Sequence, residues 1–232
     1  MSTMRFRCVT DATGVERGPP STKCGNMTMI LETVARVKLL GLSGSLRSNS
    51  YSRSVLYALQ RALVPEVRLA VRDLGLPLYN EDEDGDFASD DVRSFRSSIA
   101  ASDGVVIITP EYNHGIPGVL KNALDWASRP LNSSPLAAKP VVVMSVSPAF
   151  TGGVRAQASV HDTLLAVGAR IVGGPQIVIG NVAEKVVRGE FVDRSSLSFA
   201  LSRISQMVQD IRGTESSRPF DVSFASLPAM PV

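Results

Sequence analysis

Val37-Lys38-Leu39-Leu40-Gly41-Leu42, followed by the polar loop Ser43-Gly44-Ser45-Leu46-Arg47-Ser48-Asn49-Ser50 and then by Tyr51 to Leu63 with apolar Val55, Leu56, Leu59 and Leu63, decides the architecture. An apolar run of strand length passes through a short loop into a segment whose apolar residues recur at helical spacing. Pro65 closes that helix. Outward from this unit the pattern repeats. Val67 to Val71 reads as the second strand, followed by a long acidic loop through Leu78-Tyr79-Asn80-Glu81-Asp82 and a helix over Val92 to Ala101. Gly104-Val105-Val106-Ile107-Ile108-Thr109 is the third strand, and Val119 to Ala127 the next helix. Pro140-Val141-Val142-Val143-Met144-Ser145-Val146 is the fourth strand, and its unbroken apolar character suits a central strand covered on both faces. Gly153 to Val167 is helical, the last strand falls within Arg170 to Ile179 after a Gly-rich bend, and an amphipathic helix spans Leu197 to Ile211.

Alternating strands and helices define an α/β protein with a doubly wound parallel sheet. Five strands match the flavodoxin-like order 2-1-3-4-5, in which ligands bind beyond the carboxyl ends of the strands at the switch point. Residues 35–212 are therefore expected to form one such domain. Residues 1–34 mix Gly, Pro, Ser and isolated charges without periodicity and are expected to be a disordered extension, with Met27 or Met29 as alternative starts that keep the whole domain. Residues 213–232 are expected to be a flexible tail.

The 232 residues are 44% hydrophobic and 20% charged, enough for one buried core. The net charge of +2 is scattered, with no basic block to track a phosphate backbone, so nucleic acid is excluded as a partner. No apolar run is long enough for a membrane span or a secretory signal, and a cytoplasmic location is expected. Cys8 and Cys24 belong to no metal-binding array. His114 and His161 have no partners in triad spacing, and Glu81-Asp82-Glu83-Asp84 reads as solvated loop. No catalytic side chain and no metal ligand is assigned.

Three strand-following loops carry the chemistry. Ser43 to Arg53 gathers hydroxyls and two arginines between a strand end and a helix start, where free N–H groups and the positive helix end favour a phosphate. It is neither Gly-x-x-x-x-Gly-Lys-Ser/Thr nor Gly-x-Gly-x-x-Gly. The competing reading makes these serines helix caps and a solvated turn. Thr109-Pro110-Glu111-Tyr112-Asn113-His114-Gly115 is a Pro- and Gly-fixed loop that can present backbone groups and the Tyr112 ring to a flat heterocycle, such as a flavin. The competing reading is a turn with Tyr112 as rim packing, and Trp126 downstream is read as helix core. Ser147-Pro148-Ala149-Phe150-Thr151-Gly152-Gly153 is the third loop, and the competing reading is that Gly152-Gly153 simply starts a helix.

Gly44-Ser45-Leu46-Arg47, Pro110-Glu111-Tyr112-Asn113 and Pro117-Gly118-Val119-Leu120-Lys121-Asn122-Ala123-Leu124-Asp125-Trp126 together resemble the NADPH-dependent FMN reductase family, over about Val37 to Val182. The resemblance implies FMN as cofactor, NADPH or NADH as donor, and a small-molecule acceptor such as a quinone, flavin, chromate or azo compound. It implies that Ser45, Arg47, Ser50 and Ser52 surround the FMN phosphate, that Pro110, Glu111, Tyr112 and Asn113 line the rest of the cofactor, and that Ser147 and Gly152 approach the ring. Ser43, Leu46 and Tyr51 complete the candidate cofactor-binding set. Relatives usually carry Asn where this chain has Ser52, and many carry Gly where it has Ala149, which implies a shorter or water-mediated first contact and a third loop that is stiffer or set slightly back. The resemblance further implies a homodimer or homotetramer with the Leu120 to Trp126 helix near the interface. The rival function is a flavodoxin-like electron carrier that does not itself oxidise nicotinamide; such carriers are acidic, whereas the pI here is about 8.7.

Overall fold

The computed structural model describes residues 36–216, with side chains through Gly213. The expected N-terminal extension, both cysteines and residues 217–232 lie outside the described residues. The elements are β1 (Val37–Ser43), α1 (Tyr51–Ala62), β2 (Val67–Arg72), α2 (Asp90–Ala100), β3 (Gly104–Pro110), α3 (Gly118–Ala127), β4 (Pro140–Val146), α4 (Val154–Ala166), β5 (Arg170–Ile171), β6 (Ile177–Ile179), β7 (Val186–Val187), β8 (Glu190–Phe191) and α5 (Arg194–Ser216).

The parallel sheet runs β2-β1-β3-β4-β5, with β6 also paired to β4. The order is the expected one. The fifth position, however, is filled by two short strands rather than one. Gly173, Gly174 and Pro175 fall between them; Gly174 has φ +126°, and a Cβ there would lie 2.3 Å from a guanidinium nitrogen of Arg203. Pro175 also lacks an N–H for the ladder. β4 is buried along its whole length, as its composition requires, and lies inside the sheet between β3 and the short β5 and β6. The antiparallel β7–β8 pair was not anticipated; its strands have two residues each, too short for a periodic signal.

Strand alternation divides the core. Leu39, Val106, Ile108, Val142 and Met144 pack under α1 and α5, while Leu40, Leu42, Val105, Ile107 and Val141 pack under α2, α3 and α4. Successive side chains of a strand point to opposite faces, so unbroken apolar runs are what two helical layers demand. α2 starts at Ser89, whose hydroxyl accepts from the Val92 N–H, with Asp90 and Asp91 in the first turn complementing the helix dipole. α5 begins before the expected Leu197 and continues to Ser216, past the expected boundary at 212. Gly213 weakens a helix by only about 1 kcal/mol and does not stop it.

The acidic loop after β2 is tied to α3. The Pro77 carbonyl accepts from Trp126 Nε1 (2.8 Å) and Asn122 Nδ2 (2.9 Å), and the Tyr79 N–H donates to Asn122 Oδ1 (2.7 Å). Tyr79 meets Trp126 edge-on at 4.9 Å. Trp126, 1% exposed, is helix core as expected. No helix among the described residues is long and apolar enough to cross a membrane.

Candidate functional site

The loop from β1 to α1 turns sharply because Gly44 lies against the next loop. Its N–H donates to the Ile108 carbonyl (2.8 Å), and a Cβ there would sit 3.0 Å from both Pro110 Cδ and Thr109 Oγ1. Ser50 is the N-cap of α1: its Oγ accepts from the Arg53 N–H (3.3 Å), and Ser43 Oγ lies 3.5 Å behind it. Ser43 also donates to the Ser45 carbonyl (3.2 Å), and Ser45 Oγ accepts from the Arg47 N–H (3.4 Å). The cap reading is thus right for Ser50. The N–H groups of Tyr51 and Ser52, at the first two helical positions, have no acceptor among the described residues, and neither does the Ser52 hydroxyl have a partner. Of the two arginines, Arg53 is held by Asp73 at 2.6 Å. Arg47 has no carboxylate partner among the described residues and rests 5.8 Å from the Tyr51 ring.

These groups open into a depression of about 120 Å³ lined by Ser45, Arg47, Ser50, Tyr51, Ser52, Pro110, Glu111, Tyr112, Val146, Ser147 and Pro148. Nine expected residues therefore meet: Ser45, Arg47, Ser50, Tyr51, Ser52, Pro110, Glu111, Tyr112 and Ser147. Ser43 stands buried behind the loop, and Leu46 and Asn113 project elsewhere. Val146 and Pro148 were not anticipated, although they flank Ser147 in sequence.

Two expected contacts have other tasks. Glu111 lines the depression, but its Oε2 accepts from the N–H groups of Arg155 (2.9 Å) and Ala156 (3.3 Å). It caps α4, whose N-cap residue, Gly153, has no side chain to do so. Gly152 is buried away from the depression, packed on the loop after β6. A Cβ there would meet Val178 Cγ1 at 2.3 Å and the Gly180 nitrogen at 2.9 Å. Its glycine serves packing, and φ of +64° adds a backbone reason.

The rest of the third-strand loop is a tight reversal. Tyr112 and Gly115 exchange backbone hydrogen bonds (3.2 and 3.0 Å), with Asn113 and His114 at φ +51° and +65°, a turn that twists with the strands. This holds Tyr112, 47% exposed, at the rim. His114 faces Arg155 through Nδ1. His161, on α4 outside the depression, has its imidazole pushed down by burial, against a smaller opposing effect of Asp162.

The depression suits an anion: paired helix N–H donors, an unpartnered hydroxyl and an unpaired guanidinium converge where the helix dipole is positive. It is too small to enclose a dinucleotide, since ligand pockets usually exceed about 300 Å³. The residues present fit the phosphoryl end of FMN, with Tyr112, Ser147 and Pro148 beside it at the open rim.

A parallel β2-β1-β3-β4-β5 sheet with an anion cradle after its first strand defines a flavodoxin-like protein. Comparison sharpens this: the family model for NADPH-dependent FMN reductases matches residues 37–184, and the chain belongs to that family of FMN-dependent NAD(P)H oxidoreductases. It is 35% identical over 182 residues to an NAD(P)H-dependent FMN reductase of Pseudomonas aeruginosa, covering 76% of this chain and 98% of the relative. It is 40% identical over 141 residues to a quinone reductase of Pseudomonas putida, covering 60% of this chain and 76% of the relative. Among solved structures, a flavoenzyme NAD(P)H:(acceptor) oxidoreductase from Paracoccus denitrificans superposes with a TM-score of 0.63 at 32% identity, over 76% of this chain and 98% of that one.

Proposed function

We propose that the depression at the start of α1 holds FMN by its phosphate and that the protein passes reducing equivalents from NAD(P)H to a quinone. The observation that carries the reading is the convergence on one concavity of the Tyr51 and Ser52 N–H groups, the Ser52 hydroxyl and the Arg47 guanidinium, none of which has a hydrogen-bond or carboxylate partner among the described residues. FMN, held there by Arg47, Ser52 and the α1 N-terminus, would supply the hydride-transfer chemistry between nicotinamide and acceptor. The chain binds and orients. Arg47 and the α1 N-terminus neutralise the phosphate, and the turn closed by Tyr112 and Gly115 fixes a rigid aromatic wall. Glu111 anchors the same loop to α4. No side chain acts as acid or base in this scheme. The quinone as acceptor is supported by relatives named quinone reductases, including one of Escherichia coli at 35% identity over 178 residues.

The proposed setting is the cytoplasm, with the protein a homodimer or homotetramer. Exposed apolar side chains in successive strand-following loops, Leu46, Leu78, Phe87, Tyr112 and Phe150, support burial of this end against a second copy.

The test is an absorbance titration of the purified chain with FMN, then anaerobic NADPH or NADH, then benzoquinone. Binding, bleaching of the flavin band and recovery on adding quinone are expected, with FMN binding weakened in Arg47→Ala. Bound flavin that resists both nucleotides would establish the electron-carrier reading instead, and failure to bind FMN would overturn both.

A further inference from the structure

A second cationic concavity lies on a different part of the sheet, beside the edge strand β2. Its origin is in the strand register. Lys38 of β1 stands opposite Arg68 of β2, Leu40 opposite Ala70, and Leu42 opposite Arg72. Side chains at i, i+2 and i+4 share a face, so Arg68 and Arg72 lie on one side of β2 with the small Ala70 between them. Like charges directly opposed across paired strands are destabilising, yet Lys38 and Arg68 are both exposed and neighbouring here. Arg72 is folded back under α2, where its guanidinium donates to Ser94 Oγ (3.2 Å), Ser98 Oγ (3.5 Å) and the Asp91 carbonyl (3.3 Å). Its Nε is buried with no hydrogen-bond partner among the described residues.

None of the three cations has a carboxylate within ion-pair distance among the described residues. Asp103 is the acid at this end of the groove, and its Oδ2 accepts the backbone N–H of Lys38 (2.7 Å) rather than pairing with the ammonium. The carbonyl end of α2 borders the groove at Ala101 and Ser102, and Lys139, whose Nζ donates to the Ser102 carbonyl (2.5 Å), offsets its negative charge. The space enclosed is about 420 Å³, with Leu40 and Ala70 on its floor. Arg68 and Arg72 are four residues apart, about 13 Å of strand.

We propose that this groove binds a small polyphosphate, one carrying two or more linked phosphoryl groups, at a site separate from the FMN depression. The Arg68 guanidinium can take phosphoryl oxygens in pairs beside the Lys38 ammonium, while Arg72, held by Ser94, Ser98 and the Asp91 carbonyl, adds its charge at the far end of the row. A single phosphate would leave one end of the row of cations uncompensated. The exposed Ala70 leaves room that a larger side chain would fill, and its apolar floor can accept the base of a nucleotide. The phosphate chemistry is therefore common to a free polyphosphate and a nucleoside diphosphate.

The experiment is calorimetric titration of the full chain, saturated with FMN, by inorganic tripolyphosphate and separately by ADP at low salt. One site is expected for tripolyphosphate, weakened about tenfold or more in Lys38→Gln/Arg68→Gln and weakened further by salt. Tighter ADP than tripolyphosphate identifies a nucleotide ligand, and the reverse identifies free polyphosphate. Absence of binding by both probes, or equal binding by the double variant, overturns the proposal. The melting temperature without ligand gives an independent reading. Relief of the Lys38–Arg68 repulsion should leave it unchanged or raise it, and a fall would mean that the pair serves the fold, which also overturns the proposal.

Discussion

Replacing Glu111 with Ala removes the acceptor for two N–H groups of the first turn of α4, at 2.9 and 3.3 Å. Loss of an N-cap acceptor costs about 0.5–2 kcal/mol, and loss of a carboxylate at a helix N-terminus adds about 0.3–1 kcal/mol. The side chain is only 13% exposed, so water replaces these bonds poorly, and the sum is roughly 1–3 kcal/mol. For a domain of this size a kilocalorie shifts the melting temperature by about 2–4 °C, so a fall of roughly 2–12 °C is expected. Glu111→Gln keeps one acceptor oxygen without the charge and should lose about 0.5–1 kcal/mol, since charge-assisted bonds are about twice as strong as neutral ones. FMN affinity, read by quenching of flavin fluorescence, should change in Glu111→Gln by no more than about threefold, which corresponds to about 0.7 kcal/mol. The opposite pattern, an unchanged melting temperature with a large loss of FMN affinity, would show that the carboxylate touches the cofactor and that the capping argument is wrong.

Ser52→Asn adds an amide donor to a position that faces the depression with its hydroxyl unpartnered; one further hydrogen bond to a charged group, about 1.5–3 kcal/mol, should tighten FMN about tenfold or more in the same titration. Unchanged or weaker binding would mean that the side chain does not reach the phosphate. Asp84 gives a pH test. Burial raises its carboxyl pKa, but the Gly85 N–H and Arg96, with the nearby charge of Arg129, outweigh burial and hold it below the ordinary 3.8. Because the native value is the depressed one, the linked stability is present above the unfolded value and is lost as pH falls through the native value. Asp84→Asn should flatten the acid limb of the denaturation curve below about pH 4, and an unaltered limb would refute the assignment.

The contrast between Arg47 and Arg53 shows where sequence reading stops. Periodicity sets the layers because a strand covered on both faces must be apolar at every position, as β4 is, and a helix must be apolar on one side, as α1 is. That places the three loops at the carboxyl ends of β1, β3 and β4 before any coordinate is known. It does not say which of their polar groups the fold consumes. Arg53 is taken by Asp73, Ser50 by the first turn of α1, Glu111 by a helix whose own cap is glycine, and Gly152 by a packing contact with Val178. The Ser50 cap is local and legible in sequence, but Asp73, α4 and Val178 lie on other elements, so no local pattern announces those three claims. What remains unclaimed, Arg47, Ser52 and two helix N–H groups, is the candidate site. The same subtraction explains why the Lys38–Arg68 pair is invisible in sequence. The two residues are thirty apart, and only the β1–β2 register brings their charges together. A fold spends most of its polar groups on itself, so a cluster left unspent, and set against like charge, is where an absent ligand is to be sought.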